Sequence, residues 1–133
     1  MTSYTLTARS TQGYDDTVAR VRELLSDAGF GVLTEIDLKA TLKAKLDVDV
    51  TPQVILGACR PQLAHQALAA DPSVAALLPC NVVVRADGDG TVVEAFDPQT
   101  MISMTDASDA VCEVANDARE RLLGVMARVG GQS

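Results

Sequence analysis

The stretch Cys80-Asn81-Val82-Val83-Val84-Arg85-Ala86-Asp87-Gly88-Asp89-Gly90-Thr91-Val92-Val93-Glu94-Ala95-Phe96 decides the fold. Two runs rich in β-branched residues flank Asp87-Gly88-Asp89-Gly90, and glycine and aspartate supply the backbone freedom of a tight turn. Strands are therefore expected over 80–86 and 91–96, paired as an antiparallel hairpin. Asp97-Pro98 breaks the second strand. A long amphipathic helix is then expected over 106–128, with its apolar stripe on Val111, Val114, Ala118, Leu122, Val125 and Val129.

Working back from the hairpin, Leu78-Pro79 closes the preceding loop. Pro61 suits the first turn of a helix running to Ala70, which Asp71-Pro72 ends. Gln53 to Cys59 reads as a buried strand, and 39–46 as a short amphipathic helix with Leu42 and Leu46 facing in. Residues 30–38 read as a strand, with Val32, Ile36 and Leu38 on one face and Leu33, Glu35 and Asp37 on the other. Asp15-Asp16-Thr17 opens a helix with the stripe Val18, Val21, Leu24, Leu25 and Ala28, stopped at Gly29. Tyr4 to Ala8 is the first strand. The order strand, helix, strand, helix, strand, helix, hairpin, helix predicts an α+β fold: a two-layer sandwich of a mainly antiparallel sheet with helices packed on it. At 133 residues, 1–133 reads as a single domain able to bury its own core.

The chain is 47% hydrophobic but only 3% aromatic and lacks tryptophan, so its core must be aliphatic and base stacking is disfavoured. A net charge of -7 works against phosphate backbones and anionic membrane surfaces, so no nucleic acid and no membrane partner is expected. The apolar runs fall far short of the ~20 residues a bilayer needs. Met1-Thr2-Ser3-Tyr4 lacks the basic and apolar regions of a signal peptide. The expected compartment is the cytoplasm, where three cysteines stay as thiols.

Two of those cysteines mark the candidate site. Cys59 ends a strand just before the Pro61 helix, where the positive helix N-terminus and neighbouring Arg60 favour a thiolate. Cys80 opens the hairpin on the same face as Val82 and Val84, and reaches Cys59 if their strands are neighbours. Together they form a dithiol suited to a soft metal ion such as copper(I) or zinc, or to a persulfide. The competing reading is two small residues packed at strand ends. Glu35 is a weaker candidate for binding, and Met101 for soft-metal ligation. Cys112 reads as helix packing, His65 as exposed and off the apolar face, and Met104 as packing. Gly-rich phosphate loops, Gly-x-Ser-x-Gly and histidine clusters are missing.

Four stretches taken together resemble the family called domain of unknown function 302. They are Gly29-Phe30-Gly31-Val32-Leu33-Thr34-Glu35-Ile36-Asp37, then Ile55-Leu56-Gly57-Ala58-Cys59-Arg60-Pro61, then Leu78-Pro79-Cys80-Asn81-Val82-Val83-Val84, and Asp97-Pro98 with Met101. Arg60 departs from the small or amidic residue expected there. The resemblance implies a small α+β fold that often forms homodimers. It also implies cysteines at the positions matching Cys59 and Cys80, and a link to sulfur or metal handling.

The leading expectation is a non-enzymatic thiol module in which Cys59 carries a soft metal or persulfide and Cys80 is second ligand or resolving thiol. Its partners would be a second copy of the chain and a sulfur-carrier or metal-handling protein. The alternative is a structural or interaction domain whose cysteines only pack. A third reading, a hydrolase or transferase with Cys59 as nucleophile, lacks a visible general base.

Overall fold

The computed structural model describes residues 4–104 and 108–131. Its centre is the expected hairpin. Strand β4 (Cys80–Asp87) pairs antiparallel with β5 (Gly90–Phe96), Val82 opposite Ala95 and Val84 opposite Val93. Gly88 takes φ +61° at the turn, a backbone that glycine adopts without a Cβ penalty. Strand β3 (Gln53–Cys59) joins the other edge of β4, β2 (Gly31–Asp37) flanks β3, and β1 (Thr5–Ser10) flanks β5. The sheet is five-stranded and antiparallel, in the order β1-β5-β4-β3-β2. It is α+β, with helices packed on the sheet, as the hairpin and its flanking helices predict.

Period-two alternation sends Val54, Leu56 and Ala58 of β3, Val82 and Val84 of β4, and Val93 and Ala95 of β5 to one face. Helices α1 (Tyr14–Asp27) and α5 (Asp109–Gly131) lie across that face. They bring Val21, Leu24 and Leu25, and Leu122, Val125 and Val129, into the same cluster. Full burial of each such side chain stabilises the fold by about 1.5–3 kcal/mol. The core is aliphatic, as the composition requires, with Phe30 its one buried aromatic among the described residues. Helix α3 (Pro61–Ala70) packs mainly on α5. A smaller cluster of Ala67, Val74 and Val114 forms there, with Leu63 and Leu78 against it.

Several boundaries differ from expectation, each for a local reason. The first strand runs on to Ser10 because it pairs along β5 as far as Thr91. Leu38 opens helix α2 (Leu38–Leu46) instead of ending β2, since the Asp37 carboxylate accepts the Ala40 N–H as an N-cap. Within α2 no residue is buried, and Leu46 is exposed where an inward position was expected. The register of β2 shifts between Val32 and Thr34. Val32 then lies opposite Ala58 on the helix-covered face, whereas Ile36 lies opposite Ile55 on the other. The expected common face of Val32, Ile36 and Leu38 is thus split by a β-bulge, which periodicity alone does not reveal. A 3-10 helix at Pro72–Leu77 and a short helix α4 (Gln99–Met104) fill segments that read as loops. The expected start of the last helix at Asp106 lies outside the described residues.

Candidate functional site

Strands β3 and β4 are neighbours, and Cys80 lies directly opposite Ala58, the residue before Cys59. Both cysteines line one apolar cavity between the ends of these strands and helices α3 and α5. Its walls are small: Ala58 from the sheet, Ala64 and Ala67 from α3, and Ala115 and Ala118 from α5. Phe30, Leu63, Leu78, Pro98 and Val114 complete the apolar lining. The cavity bridges the seam between the large core and the smaller cluster under α3. Free space for a water-sized sphere is only about 30 Å³, enough for a few atoms and far too little for a nucleotide.

Close packing of the strands holds this corner in place. A Cβ at Gly57 would run into Thr34 Oγ1 and come within 2.8 Å of Pro79 Cγ. Only glycine lets β2 and the Pro79 loop approach β3 so closely.

The two thiols differ. Cys80 is 7% exposed, and burial, reinforced by the neighbouring Cys59 thiol, pushes its pKa from 9.0 up to about 11. Cys59 is half-buried, and burial raises its pKa as well. That is opposite in direction to the thiolate expected at the start of α3. Arg60 extends away towards Asp117 of α5, with Nη1 3.8 Å from that carboxylate, and does not offset the desolvation of the sulfur. Both cysteines are therefore neutral thiols at neutral pH, which removes the ground for a strongly nucleophilic Cys59.

The other candidates lie elsewhere. Glu35 sits on edge strand β2 opposite Leu56, exposed and ion-paired to Arg22 of α1. It lines a separate surface groove with Tyr14 and Asp37. Met101 belongs to α4, and its side chain, like that of Met104, lies outside the described residues. His65 is exposed on α3, as expected. Cys112 is partly buried on α5 and does not line the cysteine cavity. Among the described residues no cluster of three or more His, Cys, Asp and Glu side chains is placed to hold a metal ion.

Sequence reasoning missed Arg60 as a lining residue and the network behind it. Arg121 Nε donates to Asp117 Oδ2 at 2.8 Å, and Arg121 Nη1 donates to the Ala28 carbonyl at 2.8 Å. A readable signal was the spacing of small residues, Ala64 with Ala67 and Ala115 with Ala118, which puts each pair on one helix face.

The family model described as Domain of unknown function DUF302 matches residues 6–129, which includes every strand from Leu6 onward and both cavity cysteines. The chain belongs to the DUF302 family. It is similar to the crystal structure of uncharacterized conserved protein DUF302 from Bacillus stearothermophilus, with 31% sequence identity and a TM-score of 0.87. That likeness covers 96% of this chain and 99% of the other. No curated protein matches the chain. The cysteine cavity of this DUF302 protein thus sits inside the family-wide fold and not in an appended segment.

Proposed function

We propose that this DUF302 chain is a cytoplasmic, non-enzymatic thiol module in which Cys59 and Cys80 together hold a soft monovalent metal ion, with copper(I) the best fit. One observation carries the reading: Cys59 and Cys80, from adjacent strands, are both lining residues of a single small apolar cavity, Cys80 buried and Cys59 partly exposed. Copper(I) accepts soft sulfur ligands, whereas a structural zinc takes four ligands in a tetrahedron. The described residues offer two sulfurs and no third ligand of the usual kind. Loading replaces thiol protons with the metal, so affinity rises with pH. A persulfide on Cys59 is less favoured, because its thiol is held neutral by burial.

Delivery would require a metal-handling or sulfur-carrier protein. The other proposed partner is a second copy of the chain. Supporting this, α1 and α5 cover one sheet face, while Ile36, Ile55 and Val83 lie together on the opposite face and Ile36 is 44% exposed. Among the described residues no helix is long and apolar enough to cross a membrane.

The test is competition for copper(I) against a chromogenic chelator under reducing, anaerobic conditions. The wild type is expected to take up one equivalent, and Cys59→Ser and Cys80→Ser each to lose it while Cys112→Ser keeps it. If wild type and the Cys59→Ser/Cys80→Ser double variant compete equally, and no thiol alkylates until the protein unfolds, the cysteines only pack.

A further inference from the structure

We propose that Arg60 turns the mouth of the cysteine cavity into a binding site for a short-chain monocarboxylate. The carboxylate would lie on the guanidinium and the apolar tail would enter between α3 and α5. This goes beyond the metal reading and does not depend on it, because its carriers are Arg60 and the alanine walls, not the sulfurs.

The Arg60 side chain is only 23% exposed. Its one ionic partner among the described residues is Asp117 at 3.8 Å, beyond hydrogen-bond reach. Asp117 is already engaged by Arg121 at 2.8 Å. Two guanidinium groups thus share one carboxylate, leaving one positive charge in excess at this spot on a chain of net charge -7. A guanidinium has five N–H donors in a planar fork, and removing them from water unpaired is costly. A carboxylate matches that fork with two parallel hydrogen bonds.

Surrounding backbone adds to the same preference. Arg60 precedes α3, and Pro61 occupies its first turn. The positive end of the helix dipole therefore lies beside Arg60. Behind Arg60 the lining is apolar, with Ala64, Ala67, Ala115 and Ala118 leaving room for a few atoms. A ligand with one charged head and a short hydrocarbon tail satisfies both parts. A dianion would exceed the single excess charge, and a sugar or nucleotide would find only the two cysteines as polar partners inside.

The experiment is calorimetric titration of the full chain, at constant ionic strength, with acetate, butyrate and neutral butyramide. Butyrate is expected to bind saturably and more tightly than acetate, with no binding of butyramide. Arg60→Gln should weaken butyrate by about tenfold or more, the loss expected of a charge-assisted bidentate pair, and Arg60→Lys should fall between. Ala64→Leu, which fills the cavity from a partly exposed position, should abolish the preference of butyrate over acetate. Copper(I) uptake is read on the cysteine variants and butyrate binding on the Arg60 and Ala64 variants, so failure of one proposal is separable from failure of the other. Equal binding by wild type and a folded Arg60→Gln, or no difference between acetate and butyrate, would overturn the site.

Discussion

At the scale of single residues, burial dominates the chemistry of this corner. Cys80 lies opposite Ala58 inside the sheet, where burial leaves little water to solvate a thiolate and the Cys59 sulfur sits nearby. The folded state therefore holds the Cys80 proton more tightly than the unfolded chain does. Its contribution to stability is fully present below the ordinary thiol value of 9.0 and is lost as pH rises towards about 11. The size is on the order of 2 kcal/mol from the shift of Cys80. Denaturant unfolding at intervals from pH 8 to 11 should show stability falling across that window, with a shallower fall in Cys80→Ala. An identical pH slope in the two proteins would contradict the burial argument. Arg60 illustrates the limit of reading neighbours in sequence as neighbours in space. It adjoins Cys59 along the chain, yet its charge is directed at Asp117.

At the scale of elements, the hairpin and the two long helices follow their sequence patterns because each buries a continuous apolar face. The α5 stripe is the clearest case. Leu122 is fully buried, whereas Leu123, the same residue type one position on, is 40% exposed. Leu122→Ala is expected to destabilise the protein by about 2–5 kcal/mol. Leu123→Ala should cost no more than about 0.5 kcal/mol, the usual range for a surface change. Paired thermal or denaturant melts measure the contrast, and similar losses at both positions would mean that Leu123 is covered in solution. The elements that periodicity misassigned are short or at an edge. Edge strand β2 pairs on one side only, and its bulge lies between Val32 and Thr34. Only the pairing with β3 reveals the extra residue. Helix α2 follows its expected span except for its start at Leu38, and that start and the Pro72–Leu77 turn are anchored by the Asp37 and Asp71 side chains as N-caps, local signals that a hydrophobic-pattern reading passes over.

At the scale of the whole molecule, stability is expected to be graded outward from the central strands. Strands β3, β4 and β5 are each paired on both sides and supply fully buried residues such as Leu56, Val82 and Val93. Amide hydrogen exchange should therefore be slowest in these three strands and markedly faster in β2 and α2, where exposed residues predominate. Slow exchange throughout β2 would instead indicate that a partner covers that edge, the result a homodimer joined through β2 predicts.

Local chemistry and period in the sequence determined the α+β class, the antiparallel hairpin, the aliphatic core and the C-terminal helix. Each of these depends on residues within one element and on the face they must bury. Only the tertiary structure decided the rest. Strand order made β3 and β4 neighbours and so brought Cys59 and Cys80 to one cavity. Helices α3 and α5 converged to wall that cavity with alanine. Burial reversed the direction expected for the Cys59 thiol and sent Glu35 to another surface. Such outcomes depend on which surfaces meet and how much water is left between them, and that is a property of the assembled layers, not of any single stretch of chain.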